Sequence, residues 1–144
     1  MQGTHDATKK SEAAADGRHL VLISIHGLVR GQELELGRDA DTGGQIKYVV
    51  ELARALGNTP GVARVDLLTR RVVDPSVSED YARSSEALSQ RARIVRIDCG
   101  PEEYLRKEEL WSHLDSFVDN TIAYYSTEGR SPDVVHGHYA DAGY

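Results

Sequence analysis

Of 144 residues, one is cysteine, Cys99, and tryptophan and phenylalanine also occur once each. A single thiol closes no disulfide within the chain, so a packed core must hold the fold. No stretch approaches the ~20 consecutive apolar residues of a membrane span, and the N-terminal segment lacks the apolar run of a secretory signal. These absences predict a cytoplasmic protein with no membrane partner. Positive charge is in short supply as well. Seventeen Lys and Arg against 23 Asp and Glu leave a net charge of -6, which repels a phosphate backbone and argues against nucleic acid. Large aliphatic residues are missing from Met1 to Arg18 (MQGTHDATKKSEAAADGR), a composition that predicts a flexible polar tail over 1–18.

The rest has the makings of one domain, 19–144, with 40% hydrophobic residues. His19 to Ile25 (HLVLISI) is a continuous apolar run with β-branched residues, the pattern of a strand covered on both faces. Gln45 to Leu56 sets Ile46, Val49, Val50, Ala53 and Leu56 at helical spacing before Gly57. Turn chemistry at Asn58 to Gly61 leads into a second buried strand, Val65 to Thr69. Asp74 to Gln90 is polar and reads as a long surface loop. Arg93 to Ile97 (RIVRI) alternates as a half-exposed strand. Leu110, Leu114, Phe117, Val118, Ile122 and Tyr125 mark a long amphipathic helix, with Trp111 expected in its apolar stripe, and Pro132 to His136 is a last strand. Alternating strands and helices predict an α/β fold with a Rossmann-like parallel sheet. Sequence stops at Asp141 to Tyr144, where a covering helix would be expected, which suggests an incomplete domain.

Between the first strand and first helix lies a loop of 19 residues, His26 to Gly44. Loops this long at the carboxyl end of a strand tend to bind ligands, and Gly43 and Gly44 stand where a helix N-terminus offers free N–H groups and a positive dipole end. The segment Gly37 to Lys47 is thus the first candidate site. A plainer reading has Thr42 cap the helix and Gln45 complete a T-x-x-Q capping box. His136, His138 and Asp141 (HGHYAD) invite a metal site, because residues i and i+2 share a strand face. Against this, no cluster of further ligands is evident; one histidine can serve the core and the other a pocket. Arg70, Arg71, Arg106 and Lys107 could border a pocket for an anionic substrate or be solvated charges. Cys99, with no second thiol or activating histidine near it, reads as a packing residue.

In this order, HLVLISIHGLVRG, ELGRDADTGGQIKYVVELARALG, VARVDLLTRR, RIVRIDCGP, YLRKEELW and PDVVHGHYADAGY closely resemble the start of the sucrose-phosphate synthases. DTGGQ alone is shared with sucrose synthases and mannosylfructose-phosphate synthase, so specificity lies in the ordered set. The resemblance implies the two-domain GT-B fold, with this chain an incomplete N-terminal, acceptor-side domain. It implies retaining transfer of glucose from UDP-glucose, or ADP-glucose, to fructose 6-phosphate, with no required cofactor and Mg2+ at most stimulatory. Gly43, Gln45, Lys107 and Tyr139 would then contact fructose 6-phosphate, His138 would shape that pocket, and Gly44 would face the donor phosphates. The family's GHSLG histidine and donor-binding Arg, Lys and Glu would fall beyond Tyr144, in a C-terminal donor domain outside this chain. A metal-dependent hydrolase or a non-catalytic sugar-phosphate-binding module are the alternatives from other classes.

Overall fold

The computed structural model describes residues 17–32 and 44–138. Residues 1–16 of the expected N-terminal tail, the Thr42 cap, Gly43, Tyr139 and Asp141 lie outside the described residues, while Arg18, expected to end the tail, instead opens the first strand. Strand β1 spans Arg18–Ile23, followed by helix α1 at Gly44–Gly57 and strand β2 at Val62–Arg70. Strands β3 (Ser85–Ala87) and β4 (Ala92–Ile97) come next. A four-residue helix α2 (Lys107–Leu110), a 3-10 turn (Trp111–His113), the long helix α3 (Leu114–Glu128) and strand β5 (Val134–Gly137) complete the order. Strands β1, β2, β4 and β5 pair in parallel, β3 pairs antiparallel with β4, and the sheet runs β3-β4-β2-β1-β5.

Successive strand residues point to opposite faces, and both faces are covered. Leu22, Leu67 and Ile94 meet Ile46, Val49, Val50 and Ala53 of α1 on one side. Val21, Leu68 and Val95 meet Phe117 and Tyr125 of α3 on the other. Helix α1 therefore forms because its apolar stripe has a sheet to bury against, while Tyr48 stays 55% exposed on its outer side. Gly129, at φ 70, ends α3 in a left-handed cap whose N–H reaches the Tyr125 carbonyl.

Four expectations need correction. Asp74 to Gln90 is no simple surface loop: it holds a 3-10 turn at Glu79–Ala82 and β3, and buries Tyr81 to 2% exposure against Leu28 and Val72. Strand β4 is buried rather than half exposed, because its arginines find partners inside the protein: Arg96 pairs with Glu86 and Arg93 with Asp66. The predicted long helix is broken by the turn at Trp111–His113. Trp111 is 54% exposed rather than core, in line with exposed Val118 and Ile122 seven and eleven residues on. The apolar pattern had merged two adjacent stripes, of which the sheet covers that of Leu110, Phe117 and Tyr125.

Candidate functional site

Leaving β1, the chain goes one way to β2 and β4 and later returns to place β5 on the other side. The carboxyl ends of β1 and β5 thus flank the point where strand order reverses, the usual ligand crevice of an open α/β sheet. His138 follows β5 immediately, and its N–H donates to the Ile23 carbonyl at 2.9 Å, stitching the two strand ends together. Across from it stands the first turn of α1, opened by Gly44 and followed by Gln45, with no acidic residue to compete for the helix's positive end.

The fold joins two of the candidate residues directly. Gln45 Nε2 lies 3.3 Å from His138 Nδ1, a hydrogen bond between residues 93 apart in sequence. With Gln45 donating to Nδ1, the neutral imidazole keeps its proton on Nε2. That Nε2 is a buried donor left without a partner among the described residues. Burial, with the neighbouring His136 adding to it, lowers the His138 pKa below the ordinary histidine value and keeps the ring uncharged. Tyr48 closes another side, edge-on at 6.1 Å between ring centres. The two histidines of HGHYAD divide their roles: His138 is buried, His136 exposed, with ring centres 4.4 Å apart. Among the described residues no group of three or more His, Cys, Asp or Glu is arranged to hold a metal ion.

Lys107 begins α2, beyond the carboxyl end of β4; the placement of its side chain is outside the described part, as are Gly43 and Tyr139. The other sequence candidates diverge in role. Arg71 is a partly exposed cation paired with Asp98 at 3.2 Å. Arg70 is buried to 3% exposure and points at backbone rather than solvent. Burial lowers its pKa from the ordinary arginine value.

Sequence reading missed the residues that grip the site loop from below. Arg96, its side chain fully buried, donates to the Val29 carbonyl at 2.8 Å and to Glu86 Oε1 at 2.9 Å. Glu86 Oε2 accepts from the Gly31 N–H at 2.7 Å, and Arg54 of α1 donates to the Gly31 carbonyl. The short strand β3 therefore braces the base of the β1–α1 loop. Its only sequence signal was an acid in a polar segment, which carries no hint of a partner 55 residues away.

No protein-family model matches the chain. It is 49% identical over 152 residues to a probable sucrose-phosphate synthase 4 of Oryza sativa subsp. japonica and 50% identical over 146 residues to sucrose-phosphate synthase 4 of Arabidopsis thaliana. Each match covers 87% of this chain and 14% of the relative. A solved sucrose-phosphate synthase from Thermosynechococcus elongatus superposes with a TM-score of 0.70 at 30% identity, over 88% of this chain and 28% of that one. The α/β sheet and its likeness to that GT-B enzyme bear out the expected fold class. By sequence and by fold, the chain belongs to the sucrose-phosphate synthase family, spanning about one seventh of the length of its plant relatives.

Proposed function

We propose that the chain is the acceptor side of a sucrose-phosphate synthase. The longer protein would transfer glucose from UDP-glucose or ADP-glucose to fructose 6-phosphate, with retention, and release sucrose 6-phosphate and the nucleoside diphosphate. The observation that carries this is the near-50% identity to synthases over most of the chain. The polar cluster at the switch point supports it. Gln45, Gly43, Lys107 and Tyr139 contact fructose 6-phosphate in this reading, and Gly44 faces the donor phosphates. His138 presents an uncharged N–H, suited to a sugar hydroxyl, while the phosphate calls for a cation such as Lys107. Mg2+ would at most stimulate transfer, and the setting is cytoplasmic.

Departure of the nucleoside diphosphate needs positive groups placed on its developing charge. In the family these belong to the donor domain, and no GHSLG motif occurs in the 144 residues. Mixed with UDP-glucose and fructose 6-phosphate, the chain alone should release no UDP. In titration calorimetry it should still bind fructose 6-phosphate more tightly than fructose. UDP release above the blank would overturn this division of labour, and equal binding of both sugars would overturn the acceptor assignment.

A further inference from the structure

The last residue of β2 carries a buried cation that is in no ion pair among the described residues, the Glu103 carboxylate acting on it only from beyond contact. Arg70 Nε donates to the Cys99 carbonyl at 3.0 Å, and Nη2 donates to the Glu103 carbonyl at 2.5 Å and to that of Pro101. Carbonyls of alternate residues thus converge on one guanidinium, so the segment after β4 arches around it. Removing a charged group from water without an opposite charge in contact is costly, and an aliphatic side chain would fill the space with no such penalty. A planar fork of five N–H donors is what satisfies several fixed carbonyls together, and no other side chain offers it. The arch is tied down on both flanks: the Val73 N–H donates to the Glu102 carbonyl at 2.7 Å and the Tyr104 N–H to Asp74 at 3.1 Å. Four residues after Glu103, the chain enters α2 at Lys107, with no side-chain cap to fix the helix start.

We propose that Arg70 is a positioning residue for the sugar-phosphate site: it holds the arch from Cys99 to Glu103 and thereby places Lys107. This rests on the role given to Lys107 above. Arg70 touches no substrate; it acts through backbone geometry, so charge alone is not enough. A lysine keeps the charge but offers a point-like ammonium in place of the fork.

The single cysteine gives a readout that needs no ligand. Cys99 is buried, its own carbonyl is held by Arg70, and its Sγ lies 3.2 Å from the His113 carbonyl. Labelling by a disulfide reagent therefore reports local opening of the arch. In the full 144-residue chain, Arg70→Lys and Arg70→Met should each speed Cys99 labelling about tenfold or more and weaken fructose 6-phosphate binding about tenfold, as Lys107→Ala does. Adding Arg70→Lys to Lys107→Ala should cost nothing further, because residues acting through one another are not additive. Gly100→Ala is the second variant, for use where the Arg70 variants lose their circular dichroism signal. Gly100 sits at φ 65, and a Cβ there would come 2.6 Å from the His113 ring, distorting the arch while leaving Arg70 in place. It should reproduce both effects. Unchanged labelling, or additive losses in the double variant, would overturn the proposal, as would wild-type binding in Arg70→Lys. Faster labelling in a chain whose wild type binds no fructose 6-phosphate would instead overturn the sugar-phosphate reading, and the role of Lys107 with it.

Discussion

His138 joins the structure of the site to its chemistry. Its Nδ1 is engaged by Gln45, its Nε2 is enclosed, and burial beside His136 holds its pKa under the ordinary 6.5. An unfolded chain, with that histidine near its ordinary value, binds more protons than the folded one as pH drops through 6.5. Stability contributed by the neutral ring is complete above that pH, is lost as pH falls toward the folded value, and levels off below it. We expect the urea midpoint of the wild type to fall more steeply than that of His138→Asn between about pH 6.5 and pH 5. Superimposable profiles would show that the buried ring stays solvated. Arg70 illustrates a different point at this scale, since a buried arginine at a strand end can serve backbone rather than substrate.

Helix α3 shows how an element outgrows its own pattern. Phe117 is 2% exposed against Val95 and Ile97, whereas Ile122 is 61% exposed on the adjacent line of the same helix. Phe117→Ala leaves a cavity and should cost about 3–5 kcal/mol in denaturant unfolding. Ile122→Ala should stay within about 0.5 kcal/mol, as surface truncations do. Comparable losses would mean that something covers the second stripe. Ile122 lines a groove with Val21, Ile23, Tyr125 and Val135, between α3 and strands β1 and β5. Strand β3 is three residues long, yet its Glu86 holds Gly31 and, paired with it, Arg96 of β4 holds Val29 at the foot of the candidate site.

Across the whole molecule, one buried carboxylate joins strands to helix. Asp66, with no exposed surface, accepts from His19 of β1 at 3.0 Å, Arg64 of its own strand at 2.9 Å, Arg93 of β4 at 3.1 Å and Tyr125 of α3 at 2.8 Å. Burial and the nearby Asp66 charge push the Tyr125 hydroxyl well above its ordinary range, so it remains a donor. The His19 N–H continues the chain of contacts to Asp133, at the entry to β5. Asp66→Ala would leave the buried His19 ring and Tyr125 hydroxyl without their acceptor, while Arg64 and Arg93 keep Glu128, and should cost about 1–3 kcal/mol per orphaned group in urea unfolding at neutral pH. A loss below about 1 kcal/mol would show that water replaces the carboxylate. This network lies toward the amino ends of the strands, the opposite end from Gln45 and His138. Stability and binding are thus built at opposite ends of one sheet.

Sequence by itself determined the order of the four parallel strands and the two long helices, the extent of α1 and the family, because apolar periodicity and ordered motifs are local and survive without coordinates. It put Gln45 and His138 among the candidates, but only strand order brought them within a hydrogen bond of each other. Periodicity said which residues could be buried; the sheet decided that Phe117 is and Trp111 and Ile122 are not. The arginines of β4 read as the exposed side of a strand, and Arg70 as a pocket cation or a solvated charge, because charge predicts exposure until a partner is known, and the partners lie as far as 67 residues away. Such pairings depend on which chain segments the sheet makes neighbours, so only the tertiary structure decided them.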